Sequence, residues 1–204
     1  MALRTSEAYL ASLRDSRRVF VVGERVEDVT THPVLSIPAR HAATLFGLRQ
    51  EPELATLFSM EESGRGRLSR YFQIPRSGED LLTRGRLIEE TTRRCHSTLN
   101  IIQAVGTDAL LGLRIVAPQM DRALGTRYAE RVEAYHRRCA DEDLSLALAQ
   151  TDVKGDRSLR PHEQSDPDLY VRIAARRPDG IVVRGAKAHL TMGAVANDII
   201  VLPT

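Results

Sequence analysis

Ser145-Leu146-Ala147-Leu148-Ala149-Gln150, followed at once by Thr151-Asp152-Val153-Lys154-Gly155-Asp156-Arg157-Ser158, is where the chain changes its periodicity. Up to Leu144, apolar residues recur at helical spacing, as expected of helices that pack by one face. From Ser145 they alternate, and a polar Gly- and Pro-containing stretch then runs to Pro167. Leu169–Ala175 reads as a strand, Arg177-Pro178-Asp179-Gly180 as a turn and Ile181–Val183 as the return arm. Asp198–Leu202 reads as a third strand. The expected fold class is α+β, with an α-helical unit over residues 1–144 and a β-unit over 145–204. Three short strands cannot close a barrel or fill both layers of a sandwich, so the β-unit reads as the start of one.

Upstream, Tyr9, Leu10 and Leu13 predict a first helix from Ser6 to Leu13. Val19–Val22 and Arg25-Val26, about Gly23-Glu24, predict a hairpin. Pro33 and Pro38 punctuate a loop before a helix over Ala39–Leu48, and Pro52 suits the first turn of a short helix through Phe58. Ser63-Gly64-Arg65-Gly66 reads as a break and Tyr71–Pro75 as an extended entry. Ser77, with Asp80 three residues on, predicts a capped helix to about Arg94. Ser97–Val116 is the most apolar stretch, expected as a helix buried on most faces and ended by Pro118. Arg127–Ala140 is amphipathic, with Tyr128, Val132 and Tyr135 expected to face inward.

At 204 residues, 42% hydrophobic and 27% charged, the chain can bury a sizeable core and is not disordered by composition. No apolar run approaches the roughly 18 residues of a membrane span. The polar start, Met1-Ala2-Leu3-Arg4-Thr5-Ser6-Glu7, is not a secretory signal. Two cysteines, Cys95 and Cys139, make no disulfide framework, and a cytoplasmic location is the expectation. The 29 basic and 27 acidic residues are interleaved and aromatics make up 4%, which argues against nucleic-acid binding. Among those 29 basic residues only Lys154 and Lys187 are lysines, both close to a glycine.

Two segments could carry chemistry. In the Lys154-Gly155-Asp156-Arg157 loop the glycine lets backbone amides approach a ligand, and two cations could face phosphates or the pyrimidine edge of a flavin. The alternative is a solvated loop with Asp156 and Arg157 paired to each other. The segment is not a P-loop, since the GxxxxGK[ST] spacing is missing. Arg184-Gly185-Ala186-Lys187-Ala188-His189-Leu190-Thr191 sets small residues beside Lys187, His189 and Thr191, so a flat ring could pack on its backbone. The alternative there is a strand end with charges outward. No metal site is expected: Cys95-His96 lacks a second cysteine at ligand spacing, and His136 with Cys139 is an isolated pair. His32, His41 and His162 read as surface or capping histidines.

Thr151–Pro161 with Gln164 and Asp166-Pro167-Asp168-Leu169 strongly resembles the 4-hydroxyphenylacetate 3-hydroxylase / 4-hydroxybutyryl-CoA dehydratase flavoprotein family. So does Asp179–His189, closing on Leu202-Pro203-Thr204, and so do the opening segments Tyr9–Arg14, Gly23–Val26 and Thr31-His32-Pro33. The resemblance implies an acyl-CoA-dehydrogenase-like architecture: a helical N-terminal domain, a β-domain and a C-terminal helical bundle, with FAD between them in a homo-oligomer, usually a tetramer. Family members are much longer, so this chain corresponds to the N-terminal portion, with the C-terminal bundle absent. By position, the flavin would meet Leu148, Ala149, Gln150, Lys154, Gly155, Asp156, Arg157 and Thr191. Lys187 is added from its place in the second motif.

The same carry-over departs from both branches at the substrate. The dehydratase branch sets two iron-sulfur cysteines one helical turn apart before a Val-Gly-x-Asp-Ala stretch, here Val105-Gly106-Thr107-Asp108-Ala109, and those positions are Asn100 and Ala104. Neither ligates iron as a thiolate does. The hydroxylase branch places an Arg, a Tyr and a His around its phenol, and the corresponding positions are Val105, Ala109 and Leu148. Asn100, Ala104, Val105 and Ala109 are therefore the expected pocket positions. The leading expectation is an FAD-dependent 4-hydroxyphenylacetate 3-monooxygenase-type enzyme, using O2 and reduced FAD from a partner reductase on a small aromatic substrate. The alternatives are a cluster-free relative of 4-hydroxybutyryl-CoA dehydratase/vinylacetyl-CoA isomerase acting on an acyl-CoA, to which the motif wording is closer, and a silent chain or one that pairs with a separate C-terminal polypeptide.

Overall fold

The structure, a computed structural model, describes residues 3–202; Pro203 and Thr204 of the closing motif lie outside the described residues, as do Met1 and Ala2 of the N-terminal segment. Helix α1 (Ser6–Ser12) is capped by Thr5, whose hydroxyl accepts the Ala8 amide, while Ser6 instead donates to the Ala43 carbonyl at 2.8 Å. Strands β1 (Val19–Val21) and β2 (Glu24–Val26) form the expected hairpin, turning through Val22 and Gly23, both with positive φ. Helix α2 (Ser36–Leu48) starts before Pro38, where the sequence reads as loop. A first-turn amide has no intrahelical acceptor, so the proline removes no bond there. Tyr9 of α1 stacks on Phe46 of α2 at 4.4 Å between ring centroids.

Helix α3 (Ala55–Phe58) begins only after Pro52. Strands β3 (Ser59–Glu62) and β4 (Gly66–Ser69) pair antiparallel, so the glycine-rich break is the turn of a hairpin. Arg70–Phe72 forms a 3-10 turn where an extended entry is expected. Helix α4 (Gly78–Arg94) carries the predicted capping box between Ser77 and Asp80. Helix α5 (Ala104–Leu124) differs most from expectation: residues 97–103 are not helical, Pro118 lies inside the helix, and Gly125 at φ 64° ends it. Its buried stripe is narrow and small (Ala104, Gly106, Thr107, Leu110, Ala117), and Ile115, Val116 and Leu124 are exposed. Gly106 explains the narrow stripe, because a Cβ there would sit 2.3 Å from that of Leu146. In α6 (Tyr128–Asp141), Val132 and Tyr135 pack inward as expected and Tyr128 is exposed.

Strand β5 (Leu146–Ala149) lies against α5 and pairs parallel with β8 (Asp198–Val201), a partner that its sequence does not reveal. Between them in the chain, β6 (Arg172–Arg177) and β7 (Gly180–Arg184) make an antiparallel hairpin about Pro178-Asp179, with an irregularity between Ile173 and Ala175. Among the described residues every sheet is two-stranded and none closes a barrel, so the architecture is a mix of helices and small sheets. One apolar cluster joins α1, α2, α3 and Leu87 of α4 to Ala147, Val195 and Ala196; a second joins Phe72, Leu110, Cys139 and Leu144 to Leu146 and Ile200. Beside them, the buried Arg49 guanidinium meets the Asp143 carboxylate and the Gln103 side-chain oxygen and lies 4.8 Å over the Phe46 ring. Among the described residues no helix is long and apolar enough to cross a membrane.

Candidate functional site

The segment after β5 and the segment after β7 meet. Asp152 and Lys187 form an antiparallel β-bridge, and the Ala188 amide donates to the Thr151 carbonyl at 2.9 Å. The Lys187 ammonium donates to the Gln150 carbonyl at 3.1 Å and to Asp152 Oδ1 at 2.5 Å. Two residues before Lys187, Gly185, at φ 121°, is required where the chain passes Tyr170: a Cβ would lie 2.4 Å from the Tyr170 carbonyl oxygen. The two motifs, more than thirty residues apart in the chain, are therefore one local structure.

The Lys154–Arg157 loop is folded around Gln164. The Gln164 amide donates to the carbonyls of Asp156 (2.8 Å) and Leu159 (3.3 Å), and its oxygen accepts the Asp156 amide at 3.0 Å. Gly155 packs closely against the same side chain, where a Cβ would fall 2.5 Å from Gln164 Oε1 and 2.7 Å from Leu169 Cδ2. The Asp156 carboxylate accepts the hydroxyl and amide of Ser158, which hold it below the usual carboxylate range. Asp156 therefore builds the loop and does not pair with Arg157, which removes the internally paired alternative. Lys154 and Arg157 are exposed and have no side-chain partner among the described residues. The Thr191 hydroxyl is likewise exposed and unpartnered, just before the Gly193–Val195 turn.

Other expected positions are less open. Leu148 is half-buried in the second cluster, Ala149 is buried with its carbonyl accepting the Leu202 amide at 3.0 Å, and Gln150 is exposed. Asn100 is buried and donates to the His41 carbonyl at 2.8 Å; Ala104 is buried at the start of α5. Val105 is 37% exposed, and Ala109, one turn on, packs with Leu148 against the second cluster. These positions thus lie on both sides of the α5–β5 contact. The flavin-motif residues do not line the cleft of about 820 Å3 between α4 and α5, where Arg84 pairs with Asp108 beside Leu81, Leu111 and Ile115. Asp152 and Gln164 are the residues that sequence reasoning missed as parts of the site. Each stands inside a quoted motif: the partner of Asp152, Lys187, is 35 residues away, whereas Gln164 bonds backbone five to eight residues back in its own loop.

The histidines are placed individually. His32 Nδ1 accepts the Val34 and Leu35 amides ahead of α2, as a capping histidine does, and His162 is exposed. His41 departs from expectation, being half-buried with an unpartnered Nε2. His136 is buried with Nε2 3.0 Å from the Phe72 carbonyl, and burial, with Arg114 nearby, lowers its pKa. Burial also pushes the Cys139 thiol up to about 11. Among the described residues no three His, Cys, Asp or Glu side chains group as a metal site.

Known proteins match along the whole of this arrangement. Residues 5–204 match the family described as 4-hydroxyphenylacetate 3-hydroxylase N terminal. The chain is 35% identical over 207 residues to the 4-hydroxybutyryl-CoA dehydratase/vinylacetyl-CoA-Delta-isomerase of Clostridium aminobutyricum, covering 99% of this chain and 41% of that protein. An oxygen-tolerant archaeal 4-hydroxybutyryl-CoA dehydratase from N. maritimus superposes with a TM-score of 0.90 at 32% identity, over 100% of this chain and 40% of that one. The oxygenase component of 4-hydroxyphenylacetate 3-monooxygenase, solved with FAD, superposes with a TM-score of 0.82 at 30% identity, over 98% of this chain and 41% of that one. The chain thus spans about two fifths of the length of the proteins it matches. With both motifs joined at one crossing and the match running from Thr5 onward, the chain belongs to the 4-hydroxyphenylacetate 3-hydroxylase N-terminal family.

Proposed function

We propose that this chain builds part of the FAD site of a flavin-dependent oxidoreductase of the 4-hydroxyphenylacetate 3-monooxygenase type, acting on a small aromatic substrate with reduced FAD and O2. The observation that carries this reading is the joining of the two family motifs, which leaves Lys154, Arg157 and Thr191 with open polar groups, the two cations on a loop held in shape by Gln164. This donor set fits FAD: free cations suit an anionic diphosphate or the polar edge of the ring, and a hydroxyl suits a ring heteroatom. FAD, when bound, supplies the redox chemistry. The chain's own part is to bind and orient it. Lys154 and Arg157 attract the anionic portion, Gly155 lets Gln164 pack into the loop, Asp156 keeps the loop in shape, and Thr191 donates a hydrogen bond. Leu148, Ala149 and Gln150 form the wall on the β5 side, and Asn100, Ala104, Val105 and Ala109 the substrate side.

The accompanying architecture is acyl-CoA-dehydrogenase-like, with a helical unit over 1–144, a β-unit over 145–204, and a C-terminal helical bundle completing the pocket. A flavin reductase as electron source, a homo-oligomeric assembly and a cytoplasmic setting belong to the same reading. It is tested by titrating the protein with FAD and following flavin absorbance. Stoichiometric binding that weakens about tenfold, or about 1.4 kcal/mol, on Arg157→Ala and on Thr191→Ala supports it. Unchanged affinity in both variants would refute the assigned site.

A second reading, an acyl-CoA dehydratase or isomerase lacking the cluster, is favoured by the 35% identity and the TM-score of 0.90 to the dehydratases. Conversion of an acyl-CoA without O2 or a reductase would select it over the first.

A further inference from the structure

Lys187 is one of two lysines among 29 basic residues. Its side chain is 7% exposed and that of its partner Asp152 is 18% exposed, in a region that otherwise faces solvent. Taking charges out of water is costly, and a largely enclosed ion pair is by itself weak evidence of net stability. Its value must therefore lie in geometry. The ammonium binds the Gln150 carbonyl and the Asp152 carboxylate, which flank Thr151, and the Thr151 carbonyl in turn accepts the Ala188 amide. One side chain thus ties down the residues on both sides of Thr151, at a β-bridge that Lys187 itself makes with Asp152. A compact ammonium on an unbranched stem can point donors at two converging oxygens within this enclosure. A planar guanidinium, with its donors in a fixed fork, cannot do so without displacing one of them.

The clamp sits between the candidate flavin contacts. Leu148–Gln150 lead into it, the Lys154–Arg157 loop leaves it on one strand, and Thr191 follows on the other. The clamp reinforces the Asp152–Lys187 bridge and the amide bond from Ala188 to Thr151. We infer that Lys187 and Asp152 are positioning residues, whose ion pair sets the placement of the Lys154–Arg157 loop relative to Thr191 and so the geometry of the flavin site. Lys187 then acts through the Gln150 carbonyl and Asp152 and not by touching the flavin. The inference rests on the FAD-site reading above.

The test compares the wild-type protein with Lys187→Met, Lys187→Arg and the exchanged pair Asp152→Lys/Lys187→Asp. Three quantities are read: the FAD dissociation constant, the visible circular dichroism of bound flavin, and the rate of trypsin cleavage after Lys154 and Arg157 without FAD. The expected result is at least about tenfold weaker FAD binding and an altered flavin dichroism in Lys187→Met and in Lys187→Arg. Cleavage of the loop should quicken in both while far-ultraviolet dichroism and the thermal midpoint hold, and the exchanged pair should slow it again. Wild-type affinity and dichroism in Lys187→Met would overturn the inference. So would full rescue by Lys187→Arg with unchanged cleavage, which would mark a direct charge contact. If the wild-type protein binds no FAD, the FAD-site reading fails by itself. Cleavage then decides the clamp alone, and equal rates in wild type and Lys187→Met would overturn it.

Discussion

Every helix between Thr5 and Leu144 contributes a buried apolar side chain to a cluster, whereas between Gln150 and Ala194 the one buried residue is Gln164. Ile173, Ile181 and Val183 on the β6–β7 hairpin are about half exposed. The helical body is held by removal of apolar surface from water, which is strong and tolerant of detail. The motif region is held by named polar ties: Lys187 to Asp152, Gln164 to the Asp156 backbone, and Arg172 and Arg184 to Asp168. Such ties are weaker in sum and specific in direction, as a region that must present donors to a ligand requires.

The largest effect that could break this contrast lies inside the body, where Arg49 and Asp143 form a buried ion pair. Asp143→Ala leaves the guanidinium uncompensated and should lower the unfolding free energy by about 3–5 kcal/mol in urea titration. A loss below about 1 kcal/mol would mean that the pair is not sealed as described. Next comes Gly106→Ala, whose Cβ would meet Leu146 at 2.3 Å. Overpacking of this kind costs about 1–3 kcal/mol and should appear as a global drop in thermal midpoint.

Gln164→Ala sharpens the contrast from the other side. It frees the Asp156 amide and two carbonyls, so amide exchange at Asp156 should accelerate by a local opening worth about 1–3 kcal/mol, with the global midpoint held. A midpoint that falls as in the body variants would show one cooperative unit and remove the distinction. The smallest effect is in pH. His136 is buried with its pKa lowered from 6.5, chiefly by desolvation, so the unfolded chain takes up that proton first. The body should therefore lose stability as pH falls below about 6.5, and His136→Gln should flatten that slope. In the motif loop, the lowered Asp156 pKa gives support that is present above 3.8 and lost as pH falls further, so its protection should persist to more acid conditions than the body's.

Much of the helical body was legible because its signals are local. The Ser77–Asp80 box, the hairpin about Gly23 and the 3.6-residue stripes of α2, α4 and α6 each depend on residues within one or two turns. The errors have local causes too. Pro38 and Pro118 look like breaks in the sequence, yet one sits in a first turn that lacks acceptors and the other forgoes a single bond in a helix capped later by Gly125. The β3–β4 hairpin was hidden by short strands of mixed polarity, Ser-Met-Glu-Glu and Gly-Arg-Leu-Ser, that show no alternation. For the site, both motifs and the family were readable from residue identity. The rejection of an Asp156–Arg157 pair was not, because an Asx turn and an ion pair use the same residue types.

By itself, the sequence determined the mixed class, most helices and the family, since capping, periodicity and a rare motif are written in neighbouring residues. Only the tertiary structure decided that β5 pairs parallel with β8, that Gly106 must stay bare against Leu146, and that Lys187 closes on Asp152. Those contacts join residues 35 to 52 apart in the chain. Whether they form depends on where the backbone is carried by everything between them, and the side chains concerned are alike in kind to many others that stay in water.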